Sequence, residues 1–364
     1  MNKTNIVGAV FVLVSAASAS AVTSAHTLRG AEAYVQTYIT AGTAADVAAA
    51  RTYGSYTGVG TLFVTTASTA VTGFGGLCTG ALTSNRTVVT AGHCLSNKTQ
   101  AGKYDPVTSV RFFLPSLGER TKALTFVGHN IVVNPNFDIT NILGGNDIAQ
   151  FQLIGNAPTA GYQLYTAQNN SEIGSVFTRV GTGTIGDMTG TSAGPFDYDQ
   201  RAGVNLWEAK GDTFGVSASI LFSDFDDGTA AHDVFGQLGI NSQTGIVDSK
   251  GHLIDTNSSP GDSGGPEFIN GKIAGITSFG VSAAAFQGGH CGTGYIDPYA
   301  APDGRCTNSS VGELSGDTQV SAFLPFVNDY IASVPEPAAW TSMIVGFGFV
   351  GAAVRRRSNG FASA

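Results

Sequence analysis

Charge is scarce in this chain. Asp, Glu, Lys and Arg make up 12 % of its 364 residues, against roughly 25 % in an average soluble domain. That scarcity excludes a coiled coil and a charged disordered polymer, both of which depend on charged side chains. Eighteen basic residues face 26 acidic ones, and apart from Arg355-Arg356-Arg357 no basic stretch stands out. Nothing else in the chain could neutralise a run of phosphates, so nucleic acid is not an expected partner. Among the six histidines, His232, His252 and His290 show no metal-ligand spacing, which argues against a zinc enzyme. No repeat of fixed period is evident. Glycine, by contrast, is abundant at 49 residues, near twice the usual share. Hydrophobic residues reach 42 % and the mean hydropathy is +0.12. A glycine-rich chain with many Thr, Ser and Val residues predicts an all-β fold with frequent turns. Its length allows a sizeable core without an obligatory metal or disulfide.

The two ends read as addresses. Residues 1–21 have the order of a secretory signal: Lys3, an apolar run from Ile6 to Val14, then Ala19-Ser20-Ala21 as a cleavage site. At the far end, Val334-Pro335-Glu336-Pro337 precedes 17 uncharged residues, Ala338 to Val354, and then the three arginines. Seventeen residues is about the lower limit for a membrane span, and the arginines would hold 358–364 on the cytoplasmic side. This order resembles the PEP-CTERM sorting signal over 334–357, with a transmembrane segment at 338–354. The resemblance implies a Gram-negative bacterium, processing by an exosortase-type sorting enzyme, and an extracytoplasmic body, secreted or at the cell surface.

Between the ends, residues 22–52 are Ala- and Thr-rich and read as an N-terminal extension or propeptide, with a short helix possible at Ala31–Tyr38. From there the texture changes. Gly58-Val59-Gly60 reads as a turn. Short β-branched or aromatic runs follow at Thr61–Val64, Arg86–Thr90, Val110–Leu114, Leu124–Val127, Ile148–Leu153, Val176–Val180 and Lys272–Thr277, most of them bounded by turn residues. Apolar residues at 323, 324, 327 and 331 predict a terminal amphipathic helix. One β-rich domain over 53–333 results. Its four cysteines can pair in three ways, and the compartment favours disulfides over thiols. The local pairs, Cys78 with Cys94 and Cys291 with Cys306, would each close a loop of about 15 residues, worth roughly 3 kcal/mol if chain entropy dominates.

Three stretches carry chemistry: Thr90-Ala91-Gly92-His93-Cys94, Asn146-Asp147-Ile148-Ala149 and Gly261-Asp262-Ser263-Gly264-Gly265-Pro266. A serine hydroxyl is a weak nucleophile and needs a base to take its proton and a third group to orient that base. Histidine titrates near neutrality and can serve as base, then acid. A buried carboxylate fixes the imidazole tautomer and stabilises the imidazolium. His93, Asp147 and Ser263 fill these roles, with Asp138 the alternative to Asp147. Glycines beside Ser263 let the amides of Gly261 and Ser263 point at a developing oxyanion.

These boxes resemble the trypsin/chymotrypsin-like serine proteases. The resemblance implies two six-stranded antiparallel β-barrels with a C-terminal helix. The first barrel would supply His93 and Asp147, and the second Ser263. It also implies a Cys78–Cys94 bridge, a protein or peptide substrate, a serine-type endopeptidase activity and no organic cofactor. Asn257 falls where the family sets primary specificity. It is not acidic, so a preference for Arg or Lys is not supported, and Asn257, Ser258 and Gly280 suggest a neutral pocket. Ser278-Phe279-Gly280 matches the segment that pairs with substrate backbone. The chain departs from the family in three respects. No Ile-Val-Gly-Gly-like start precedes the first barrel to supply the amino terminus that would pair with Asp262, although Arg51-Thr52 stands at about the right distance. Ser259 replaces a usual cysteine, so Cys291–Cys306 would staple an insertion beside the pocket instead. Asp224-Phe225-Asp226-Asp227-Gly228 is an insert whose carboxylates Asp224, Asp226 and Asp227 suit calcium, though without the closing glutamate of an EF-hand. The rival reading is a catalytically silent surface or matrix protein that keeps the fold as a binding scaffold; an esterase using the same triad is a third.

Overall fold

The computed structural model describes residues 39–40, 55–71, 76–116, 119–166, 169–191, 199–240 and 242–332. The signal at 1–21, most of the 22–52 extension, the Arg51-Thr52 start and the tail with its 338–354 span lie outside the described residues. No helix among the described residues is long and apolar enough to cross a membrane.

Ile39–Thr40 (β1) is followed by six strands that close a barrel: Val59–Thr66 (β2), Gly76–Leu82 (β3), Thr87–Thr90 (β4), Val107–Ser116 (β5), Glu119–Val133 (β6) and Ala149–Leu153 (β7), in the order β2-β3-β4-β7-β6-β5. The β-branched and aromatic runs seen in the sequence supply its inward face. Leu62, Leu82, Val88, Phe112 and Phe151 are fully buried there, and the Phe112 and Phe151 rings meet edge to face at 6.2 Å. Each such side chain contributes about 1.5–3 kcal/mol of burial. Of Gly58-Val59-Gly60 only Gly58 lies in a turn, because β2 already begins at Val59.

The second half does not form the expected six-stranded barrel. Val176–Gly181 (β8), Gly186–Asp187 (β9), Gly190–Thr191 (β10), Arg201–Leu206 (β11), Ala209–Lys210 (β12), Ile220–Asp224 (β13), Thr256–Asn257 (β14), Pro266–Ile269 (β15), Lys272–Ser282 (β16) and Glu313–Gln319 (β17) follow in the chain. Seven of them build an open sheet, β11-β8-β15-β16-β17-β13-β12, and β14 joins a separate four-stranded sheet, β10-β9-β1-β14. The reason lies between β11 and β13. No ladder links them; instead the Asn205 side-chain amide donates to Asp224 O at 2.7 Å and to Thr256 O at 2.8 Å. A side chain occupies the seam that a backbone ladder would close, and β14 pairs with β1 instead.

One core of this half gathers Ile220, Phe222, Phe235, Phe279 and Leu314. Another stacks Phe177 on Trp207 at 4.1 Å. Val234–Gln237 (α1) is a single helical turn capped by Asp233. The fold divides into two compact units at Leu324/Pro325. The described part of the second unit, 325–332, belongs to the short helix Leu324–Ala332 (α2), whose Pro325 stands in the first turn, where a missing N–H costs little.

Candidate active site

Strand β4 ends at Thr90, and Ala91-Gly92 turns the chain into a 3₁₀ turn, His93–Leu95. The Cys78–Cys94 disulfide ties that turn to β3. Asp147 sits just before β7, after Asn146 at φ +64°, a left-handed conformation that asparagine tolerates. Ser263 lies in the turn between β14 and β15. Gly264 there has φ +78°. A Cβ on it would stand 1.9 Å from Thr90 Oγ1 and 2.5 Å from Thr79 O. Only glycine fits where the serine turn meets the first barrel, and the Thr79 amide donates to Ser263 O at 2.8 Å across the same contact. Gly264→Ala is expected to cost about 3 kcal/mol or more through strain and overpacking, read as a lower denaturant midpoint. An unchanged midpoint would show that the contact is not tight in solution.

The three sequence boxes converge. His93 Nε2 stands 2.6 Å from Ser263 Oγ, and His93 Nδ1 is 2.7 Å from Asp147 Oδ2. Asp147 is 1 % exposed and is held from several sides. The His93 amide donates to its Oδ1 at 2.7 Å, and the Ser278 hydroxyl donates to Oδ2. Its backbone carbonyl accepts from Thr318 Oγ1 at 2.9 Å. Asp138 is elsewhere, accepting from Thr140. Gly261 has φ +107°, and its carbonyl accepts from Thr79 Oγ1.

The other expected substrate contacts fall into different settings. Asn257 lies on β14 opposite Ile39, and its Oδ1 accepts from the Ser258 amide at 2.8 Å. Ser258 Oγ meets Ser315 Oγ at 3.0 Å. Ser278 directs its hydroxyl to Asp147. Phe279 packs inward against Phe222, while Gly280 is partly exposed and pairs with Ser315. Beneath them Arg179 is buried, donating to Glu267 Oε1 at 2.9 Å and to Asp317 Oδ2 at 3.1 Å. With two carboxylates for one guanidinium, burial and the neighbouring Asp317 push Glu267 well above the usual carboxylate range. Cys291 and Cys306 are bridged, outside the triad.

Asp262, next to the nucleophile, is fully buried, and neither carboxylate oxygen has a hydrogen-bond partner. Burial pushes it up to about 7, against the pull of Arg179, the Gly183 amide and Arg201. The amides of Gly183 and Thr182 exert that influence without reaching hydrogen-bond geometry.

In the acidic insert, one oxygen each from Asp224, Asp226 and Asp233 lies within 4.8 Å of the others, a set able to coordinate a divalent ion such as calcium. The expected Asp227 is not in it. His232 Nδ1 lies 2.6 Å from Asp227 Oδ2, and Thr229 donates to Oδ1. Burial, then Asp224, Asp255 and Asp233, push Asp226 up to about 10. Burial likewise takes Glu208 to about 7. No sequence motif signals Asp233, Ser315 or Thr318.

Residues 53–208 match the trypsin family, described as "Trypsin". Residues 333–357 match the PEP-CTERM protein-sorting motif. The first match includes His93 and Asp147 and ends before Ser263, which joins them through the geometry above. No curated protein matches the chain. Among solved structures, HL collagenase is similar at 16 % identity, over 78 % of this chain and 98 % of that one, with a TM-score of 0.49. The sorting motif supports an extracytoplasmic location, at the surface or secreted, and implies exosortase processing; a protease implies a protein or peptide substrate. The chain therefore carries a trypsin-family serine protease domain joined to a C-terminal PEP-CTERM sorting motif.

Proposed function

We propose that the protein is an endopeptidase of a Gram-negative cell envelope that cleaves after uncharged side chains. Ser263 attacks the peptide carbonyl while His93 takes its proton and later delivers it to the leaving amine. Asp147 orients His93, and the amides of Gly261 and Ser263 hold the oxyanion. An acyl-enzyme on Ser263 is then hydrolysed by water. The observation that carries this reading is the continuous relay Asp147–His93–Ser263, at 2.7 and 2.6 Å. Neutral Asn257 and Ser258 at the specificity positions favour uncharged over basic side chains, because a buried cation there would find no carboxylate from either. The exosortase acts at Pro335-Glu336-Pro337. The test compares the secreted protein with its Ser263→Ala variant on a complex peptide mixture, with cut sites read by mass spectrometry. Cleavage by the parent alone supports the reading. Equal cleavage by both, or by neither, returns the scaffold reading.

Asp262 bears on how the domain matures. A buried carboxylate without a partner destabilises the fold whenever it is charged, and the family resemblance assigns it to an amino terminus made by cleavage. Its carboxyl is raised from 3.8 to about 7 in the fold. The stability it confers is therefore complete below the unfolded value and is lost as pH rises through about 7. The unprocessed chain, in chelator, is expected to melt several degrees higher at about pH 5 than at about pH 8, and Asp262→Asn is expected to flatten that slope. A slope identical in parent and variant would remove Asp262 from the account.

A further inference from the structure

We propose that Asp224, Asp226 and Asp233 bind one calcium ion, and that this ion fixes the strand carrying Asn257. The three carboxylates come from separate places. Asp224 ends β13, Asp226 opens the long connection that follows, and Asp233 caps α1. The connection from β13 to β14 brings them together, with one oxygen of each within 4.8 Å of the others. That separation is about twice a calcium–oxygen bond, so one ion can reach all three.

The side chains are built for a partner that hydrogen bonds do not supply. Asp224 and Asp226 are each 1 % exposed, and the Oδ1 atom of each has no hydrogen-bond partner. Their remaining bonds, and those of Asp233, position them. Asp224 Oδ2 accepts from the Phe235 amide at 3.1 Å. Asp233 accepts from the Gly236 amide at 2.6 Å and from Ser242 Oγ at 2.8 and 3.0 Å. None of the described ion pairs includes any of the three. A fourth carboxylate, Glu208, interacts with Asp224 and has its Oε1 fixed by the Gln243 amide at 2.8 Å. Buried carboxylates without a cation repel one another and lose their hydration. Hard oxygen ligands in an irregular loop suit calcium better than magnesium, which demands a tight octahedron.

The cluster is wired to the segment before Ser263. The Asp226 amide donates to Asp255 Oδ2 at 3.2 Å, and the Thr256 amide donates to Asp255 Oδ1 at 3.0 Å. Asn205 Nδ2 bridges the carbonyls of Asp224 and Thr256. An ion that holds Asp224 and Asp226 thus holds both anchors of 255–257. Its consequence for substrate binding rests on the protease reading above; the ion site itself does not.

The test uses the full chain, stripped by chelator and titrated with calcium chloride in a calorimeter. The expected result is saturable binding of one calcium ion. At about a hundredfold excess over Kd, the melting midpoint should rise by roughly 5 °C. Amide hydrogen exchange over 255–258 should slow about tenfold or more. Asp226→Asn should lose all three responses, and in chelator it should melt no lower than the parent, since it relieves crowding in a buried acidic cluster that lacks its cation. Asp227→Asn, outside the cluster, should keep them. For the active enzyme, chelation should raise KM about tenfold with a smaller change in kcat. Absence of a binding heat and a midpoint shift, or a full response in Asp226→Asn, overturns the site and leaves carboxylates that share protons. Calcium binding without slower exchange over 255–258 overturns the link to Asn257. Failure to cleave any peptide would sink the protease reading, while calorimetry and exchange would still decide the ion site.

Discussion

Ser263→Ala is expected to lower kcat on any cleaved peptide by roughly 10⁶-fold while leaving the melting midpoint within a degree or two. The asymmetry follows from the setting. Ser263 Oγ makes its bond to His93 Nε2, and the serine's carbonyl, which the variant keeps, anchors the turn to Thr79. Removing the hydroxyl therefore removes the nucleophile and little of the scaffold. The residual rate would come from substrate binding and the oxyanion donors, which act without the serine. A loss of only about tenfold would mean that water or another side chain attacks, and the covalent route through Ser263 would be wrong.

Asp147→Asn is the second large effect, roughly a 10⁴-fold loss in kcat. As a carboxylate, Asp147 accepts from the His93 ring, the His93 amide and Ser278 Oγ at once. An amide has one acceptor oxygen. If that oxygen stays with the His93 amide, the NH₂ group faces Nδ1 and selects the tautomer that carries its proton on Nε2, where it cannot accept from Ser263. The loss should appear in kcat with little change in KM, because Asp147 does not meet substrate. Ser278→Ala should show a smaller loss of the same kind. If Asp147→Asn raises KM and spares kcat, Asp147 shapes the pocket rather than the base.

The triad is legible in the sequence because each member lies in a short run of fixed chemistry: a histidine after a strand, an aspartate opening one, a serine among glycines. Those runs need no knowledge of tertiary contacts. Most of the first barrel is legible for a related reason, since β2, β4, β5, β6 and β7 contain short β-branched or aromatic runs, most of them bounded by turn residues. In the second half only the runs at Val176–Val180 and Lys272–Thr277, which lie in β8 and β16, are legible in the same way. Strand β17 reads Glu-Leu-Ser-Gly-Asp-Thr-Gln, yet every residue in it is buried. Its carboxylates face Arg179 and loop amides rather than solvent, so no hydrophobic period announces it. At the open seam the Asn205 side chain bridges two carbonyls, which a local pattern cannot reveal. Proximity in sequence favours Asp227 over Asp233 as the third acidic ligand. The connection folds back on itself, however, and Asp233 reaches Asp224 through the cap of α1 while Asp227 turns to His232. Ser278 lies in the expected neighbourhood but plays a different part, because its hydroxyl serves Asp147.

The chemistry rests on Ser263 as a nucleophile activated by His93. The most direct measurement treats the secreted protein with an organophosphorus active-site label and locates the adduct by mass spectrometry, with the mature amino terminus read in the same run. One adduct is expected, on Ser263, absent from Ser263→Ala and formed far more slowly in Asp147→Asn. No adduct on the mature protein, or an adduct on another serine, would contradict it and leave the fold as a scaffold without a working triad.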